Sequence, residues 1–207
     1  MKFTLLKTGT AALAAATLAV VGAPQALAAT DINYNCRANT PLGAQTSSLI
    51  QTVDATAPAT VAPGSAFDIV VDPAAGQVPA EANGFTVRNV NTFTLRVPVP
   101  ANATLTGIAL AGGSNLGGTP TASQSGGVIT IRFPGPIAGG STYELPTITT
   151  HLTAGASGVV TSTLGGTSFT NPGLTFTTVV STFIGDITAP TSCFPSPNPV
   201  LTSTTIA

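Results

Sequence analysis

The chain has 207 residues, six Lys and Arg against seven Asp and Glu, and only 6% charged residues. So nearly neutral a chain lacks the basic surface that displaces counterions from nucleic-acid phosphates, and it has little to attract it to an anionic membrane. Its single histidine and two cysteines are too few to build a zinc site.

At the N-terminus, Lys2 and Lys7 precede an apolar run over 10–22, a break at Pro24 and the small-residue segment Ala26-Leu27-Ala28. This order predicts a secretory signal peptide over 1–28, cleaved after Ala28. The apolar run is shorter than the ~20 residues that span a bilayer as a helix. No twin arginine precedes it, which points to the general secretory route. No cysteine stands at the cleavage point, and the sortase-like Leu145-Pro146-Thr147-Ile148 lacks its glycine and lies mid-chain, so neither anchor is expected. No later stretch is long and apolar enough for a transmembrane segment. The expectation is a protein that is secreted, either extracellular or non-covalently associated with the cell envelope. Signal removal takes both lysines and leaves Arg37, Arg88, Arg96 and Arg132 against seven carboxylates, a net charge of −3.

Cys36 lies near the mature start and Cys193 near the end. In an exported chain the two are expected to pair, tying the ends together as a structural staple. Closing so long a loop contributes roughly 5 kcal/mol in the chain-entropy account. No Cys-x-x-Cys is present to suggest redox chemistry.

Between the cysteines, short runs of Val, Ile, Thr and Phe alternate with period two and are punctuated by Gly, Pro and Asn. In chain order, strands are predicted over 47–56, 66–72, 84–89, 92–99, 104–110, 121–124, 128–133, 142–153, 159–164 and 174–184. The clearest is 92–99, where Phe93, Leu95, Val97 and Val99 share one face; Pro98 and Pro100 mark an edge or the strand's end. Ser125-Gly126-Gly127 predicts a hairpin turn before 128–133. Ala62-Pro63-Gly64 reads as a tight corner. No helical stripe and no linker interrupts this pattern. The fold class expected is all-β, an immunoglobulin-like antiparallel β-sandwich of about eight to ten strands over 29–193 with a terminal disulfide, a closed barrel being the alternative. The antibody pattern itself is absent, since there is no Trp and the cysteines are terminal. Residues 194–207, rich in Pro, Ser and Asn, are expected to form an extended flexible tail.

The opening Asp31-Ile32-Asn33-Tyr34-Asn35-Cys36, the corner at 57–64, Val97-Pro98-Val99-Pro100, the hairpin at 126–131 and the closing Cys193-Phe194-Pro195 together resemble exported actinobacterial proteins carrying one Ig-like domain. The resemblance covers nearly all of the mature chain through structural turns. It implies the fold and the compartment, and no catalytic residue.

Catalytic chemistry has few candidates. His151 shares its strand face with Thr149 and Thr153, the pattern of an exposed histidine; no Gly-x-Ser-x-Gly elbow supplies it with a nucleophile. Asp68 and Asp72 lie on one face of one strand, roughly 13 Å apart, too far for a retaining glycosidase pair. Calcium around Asp72 and Glu81 lacks an Asp-x-Asp-x-Asp loop. With no Trp, and with Tyr34 and Tyr143 as the only tyrosines, an aromatic platform for sugars is not expected. No lysine remains for an isopeptide bond, and Asn102-Ala103-Thr104 is a short glycosylation match. No catalytic, cofactor-binding or metal residue is therefore assigned, and the site residues are the disulfide pair Cys36 and Cys193. The function expected is a non-enzymatic module, binding or structural, for an envelope or extracellular partner. It would act through the loops 72–84 and 112–120 or through a sheet edge. The alternatives are an extracellular hydrolase using His151 and an oligomeric outer-layer pore.

Overall fold

A computed structural model of the protein describes residues 24–26, 29–41 and 43–207. The expected signal peptide and its cleavage point after Ala28 lie outside the described residues, apart from 24–26. The strands are β1 (Pro24–Ala26), β2 (Thr30–Thr40), β3 (Gly43–Pro58), β4 (Thr60–Val61), β5 (Ala66–Pro73), β6 (Gly76–Gln77), β7 (Glu81–Ala82), β8 (Phe85–Pro98) and β9 (Ala103–Ala111). They continue as β10 (Thr121–Ser125), β11 (Val128–Phe133), β12 (Ile137–Ala138), β13 (Thr142–Tyr143), β14 (Thr147–Ala154), β15 (Gly158–Ser162), β16 (Leu174–Thr182), β17 (Gly185–Pro195) and β18 (Thr202–Ile206). No helix occurs among the described residues.

Alternation builds each strand's two faces. On β2, Ile32, Tyr34 and Cys36 are buried while Asp31, Asn33 and Asn35 are exposed. On β14, Ile148, Thr150, Leu152 and Ala154 turn inward, away from Thr149, His151 and Thr153. Each large apolar side chain so buried stabilises the fold by roughly 1.5–3 kcal/mol.

Ten of these strands form one continuous path, β10–β11–β8–β16–β17–β2–β3–β5–β14–β9, with every neighbour antiparallel. Its two ends, β9 and β10, come into contact without pairing. Ile129 and Ile131 of β11, with Leu95 and Val97 of β8, pack on Ile148 of β14 and on Leu105, Ile108 and Leu110 of β9. The sheet has curled until its ends meet. The architecture is thus all-β and antiparallel as expected, but it is a nearly closed barrel and not a clear two-sheet immunoglobulin-like sandwich. The physical reason is continuity: β17 pairs with β2, so what a sandwich would divide into two sheets is hydrogen-bonded across that junction.

A second, three-stranded sheet, β15–β18–β4, packs against one end of the barrel; β18 runs antiparallel to β15 and parallel to β4. Val61, Val160 and Ile206 from this sheet bury against Phe67, Ile69 and Leu152 of the barrel. The tail 194–207 is therefore not the loose extension expected. Leu201, Thr202, Thr204 and Ile206 are buried, and Thr204 donates through its hydroxyl to the Pro58 carbonyl at 2.7 Å. A strand of Thr and Ser becomes stable once β15 satisfies its backbone.

Local departures have local causes. The segments 84–89 and 92–99 join into the single strand β8, bent at Thr92, which has a φ of 54°. There the pairing with β16 slips, from Thr94 opposite Thr175 to Asn91 opposite Thr177, the mark of a bulge. Pro98 ends β8 as expected; β11 pairs with it on one side, and on the other the pairing with β16 stops at Leu95. The hairpin β10–β11 forms as predicted, with Gly126 and Gly127 at φ of 58° and 75° in its turn. The run 142–153 is split by Pro146 into β13 and β14.

The disulfide joins Cys36 on β2 to Cys193 on β17, residues that face each other in the register, 4.1 Å apart between Cα atoms and 157 residues apart in sequence. Both are buried. Two outcomes follow for the purified protein. The Cys36→Ser/Cys193→Ser variant should lose up to about 5 kcal/mol in denaturant unfolding, and native protein should expose no thiol to millimolar reductant until denaturant is added. Removing 201–207 should lower the melting temperature by uncovering Val160, measured by circular dichroism.

Candidate functional site: an apolar cavity inside the barrel

The inward faces do not fill the barrel. A cavity of about 540 Å³ runs through its interior, within the roughly 300–1,000 Å³ typical of small-molecule sites. The chain's course sets its two ends. β2 starts and β3 ends beside the small sheet, and Ser162, Leu164 and Leu201 from that region form the floor. The opposite end carries the β2–β3 and β16–β17 turns and the segment 73–84, which supplies Gln77, Val78, Pro79, Glu81 and Asn83 to the wall. That end is the mouth.

Between floor and mouth the wall is hydrocarbon: Ile32, Val71, Val97, Leu174, Phe176 and Ile129 are representative. Phe93 stacks on Phe133 and Phe176 at centroid distances of 4.6 and 5.4 Å. Among the described residues, Glu81, exposed at the mouth, is the one charged residue that lines the cavity. Of the deep polar groups, Thr150 donates to the Ile69 carbonyl, Thr191 to the Ala189 carbonyl, and Ser162 pairs with Thr202.

Tyr34 and Tyr143, the chain's only tyrosines, both line this cavity. Tyr34 lies toward the floor among Ile32, Cys36, Leu164 and Leu201. Tyr143 stands near the mouth on β13, with its ring against Gly76 of β6, its register partner. A Cβ on residue 76 would lie 2.6 Å from the ring's terminal carbon and hydroxyl, so only glycine leaves the ring in place. Neither tyrosine hydroxyl has a hydrogen-bond partner among the described residues, and neither is sealed from open space. Burial away from water raises the pKa of both phenols above the usual value. They remain neutral O–H groups.

The residues singled out from the sequence distribute differently. The loop 72–84 reaches the site as the cavity's mouth. The loop 112–120 does not line it; Leu116 pins that loop into the core beside Val87 and Phe133, and Asn115 donates to the Thr142 carbonyl. His151 lies on the outer face, its Nδ1 2.8 Å from Asp68 Oδ1 across the β14–β5 register, both about half exposed. No serine hydroxyl bonds to His151 among the described residues, so the pair lacks the nucleophile a hydrolase needs. Asp72 sits opposite Asp54 on the outer surface and accepts from Thr147 Oγ1, while Glu81 pairs along β7 with Thr86. No group of three or more His, Cys, Asp or Glu gathers for a metal among the described residues. The amide of Asn102, in the sequon, donates to the Val159 carbonyl.

The cavity itself has no sequence motif; its one advance signal is the place of Tyr34 on the inward face of Ile32 and Cys36. Comparison with protein-family models, curated proteins and solved structures finds no match.

The raised phenols couple to stability with a definite sign. Above about 10, the ordinary tyrosine value, the unfolded chain loses phenolic protons that the folded chain keeps. Stability is therefore full below that pH and falls as pH rises beyond it. Spectrophotometric titration should show phenolate forming later in native than in denaturant-unfolded protein, with unfolding midpoints dropping over the same range.

Proposed function

We propose that the protein is a non-enzymatic binding module that holds an apolar small molecule inside its barrel, in an extracellular or envelope setting. The observation that carries this reading is the cavity, with its hydrocarbon wall, charge confined to one glutamate at the mouth and walls cross-tied by a disulfide. Binding such a ligand removes apolar surface from water on both sides without a buried charge to compensate. At the mouth, the β16–β17 turn holds Phe183 and Ile184 in solvent, 95% and 67% exposed, next to the lining residue Thr182. Such a tip suits entry of a ligand from an apolar phase.

The compartment rests on two supports. The buried disulfide fits an oxidising, extracellular-type environment, and the N-terminal pattern of Lys2, Lys7, an apolar run and small residues fits export. The sandwich-module reading changes only in where the partner sits, in the interior instead of on loops or an edge.

A transmembrane pore is disfavoured by the faces of the strands. Asp31, Asn33, Asn35 and Arg37 on β2, Asp68 and Asp72 on β5, and Thr130 and Arg132 on β11 turn outward, while the lumen is apolar. A pore needs the reverse.

Titration of purified protein with the fluorescent hydrocarbon-like probe N-phenyl-1-naphthylamine should give saturable enhancement. Ala189→Phe, which drives a ring into the cavity from β17, should weaken binding by at least about tenfold while far-UV circular dichroism is unchanged. No saturable enhancement with either protein would dismiss the interior as a ligand site.

A further inference from the structure

Taking the cavity as a ligand site, we infer that the ligand is a neutral, mainly hydrocarbon molecule bearing oxygen acceptors, such as a ketone or an ester. Tyr34 and Tyr143 are the donors that recognise it. The ground is the unequal treatment of the wall's buried polar groups; among the described residues the half-buried Thr178 also faces the cavity without a protein partner. Thr150, Thr191 and Ser162 spend their hydroxyls inside the protein, at 3.2, 3.2 and 2.6 Å from their partners. Tyr34 does not, although its residue is only 4% exposed. Its hydroxyl is not sealed in the protein but opens on the cavity, where only water or a ligand can accept its hydrogen bond. Phenylalanine would pack equally well beside Ile32 and Leu164, so the hydroxyl adds a polar group to the cavity wall and nothing to the packing. A group held unsatisfied against a cavity has its partner outside the protein.

Tyr143 repeats the arrangement near the mouth, its ring seated by the absence of a side chain at Gly76. Both phenols, kept protonated by burial, present an O–H donor. They favour a carbonyl or ether oxygen over a ligand's own donor group.

The wall also decides against charge. Among the described residues no Arg, Lys or His lines the cavity, and the one carboxylate there, Glu81, would repel an anion. An ionised fatty acid would leave water for a hydrocarbon wall with no counter-ion, a heavily penalised transfer. A cationic amphiphile would find Glu81 at the mouth but no acceptor carboxylate within.

The test uses three matched probes displacing N-phenyl-1-naphthylamine from purified protein at a pH above the fatty-acid range: decane, 2-decanone and decanoate. It compares the wild-type protein with Tyr34→Phe, Tyr143→Phe and the double variant. A single ketone can engage either hydroxyl, so the double variant is decisive. Its affinity for 2-decanone, relative to decane, should fall roughly three- to tenfold, the range of one neutral hydrogen bond, with decane binding unchanged. Tyr34→Phe should keep the melting temperature, since the hydroxyl makes no hydrogen bond within the protein. Decanoate should bind at least about tenfold more weakly than the ketone and recover as pH is lowered through its carboxyl pKa. An unchanged ketone-to-decane ratio in the double variant, or decanoate binding as tightly as the ketone, would overturn this assignment while leaving an apolar site. Failure of decane and ketone alike to bind would instead overturn the reading of the cavity on which it rests.

Discussion

The pairing of β17 with β2 is the constraint on which the barrel depends. On one side of it β10, β11, β8 and β16 follow in the sheet; on the other lie β3, β5, β14 and β9. The register there is short, from Thr191 opposite Ala38 to Pro195 opposite Tyr34, and the Cys36–Cys193 bond falls within it. The far ends of the path meet only through side chains. Without the β17–β2 seam the two five-strand halves would have no hydrogen-bonded connection, and the cavity would lose a wall. A covalent link at this place restrains the two strands whose partnership spans almost the whole chain, where loop-closure entropy opposes association most.

Outside the seam, an aromatic and cationic patch guards the same strands. The guanidinium of Arg37 on β2 lies 4.7 Å over the Phe169 ring, which meets Phe194 of β17 edge-on at 5.1 Å. The Phe169 loop thereby covers the outer side of the disulfide-bearing pair. Arg37 Nε is buried there without a hydrogen-bond partner, so the cation–π contact compensates part of its lost hydration. Elsewhere the outer surface is Thr, Asn and Ser with few charges, and ion pairs such as Arg88–Asp186, at 3.6 Å and largely exposed, contribute little. Burial inside, and not electrostatics outside, holds this protein together.

That distribution bears on function. A chain with a crowded interior would spend its large side chains filling the barrel; here the inward positions of β17 include Ala189 and Thr191, whose small side chains leave space. The floor is closed by Ser162, Leu164 and Leu201, held by β18 through Thr202 with Ser162 and Thr204 with the Pro58 carbonyl. The cavity exists because one end is capped, the other is left to loops, and the wall between is held open by continuous strand pairing.

Strands with local support were legible from the residues: the Gly126-Gly127 hairpin, the alternation of β8 and the inward face of β14 declare themselves over a few positions. β2, β17 and β18 did not. β2 alternates its core residues with Asn and Asp and β17 contains Pro190, which weakens their strand signal. β18, mostly Thr and Ser, lacks the apolar alternation that marks a one-sided strand. Each has a partner far away in sequence. The disulfide pair could be read from compartment and count, but not its position inside a cross-strand register. Likewise His151 could be read as exposed, whereas its contact with Asp68 required β5 and β14 to be neighbours. What the sequence by itself determined was an all-β chain of one-sided strands with low charge and two cysteines. Whether those apolar faces would meet a second sheet or curl round to meet each other was decided by tertiary structure, because alternation with period two is identical in both cases and closure depends on strand order, twist and register. The same holds for the two tyrosines. The inward position of Tyr34 follows from period two on β2. Alternation over 142–153 would put Tyr143 on the outward face of His151, and the break at Pro146 and the packing of many strands bring both hydroxyls to the cavity.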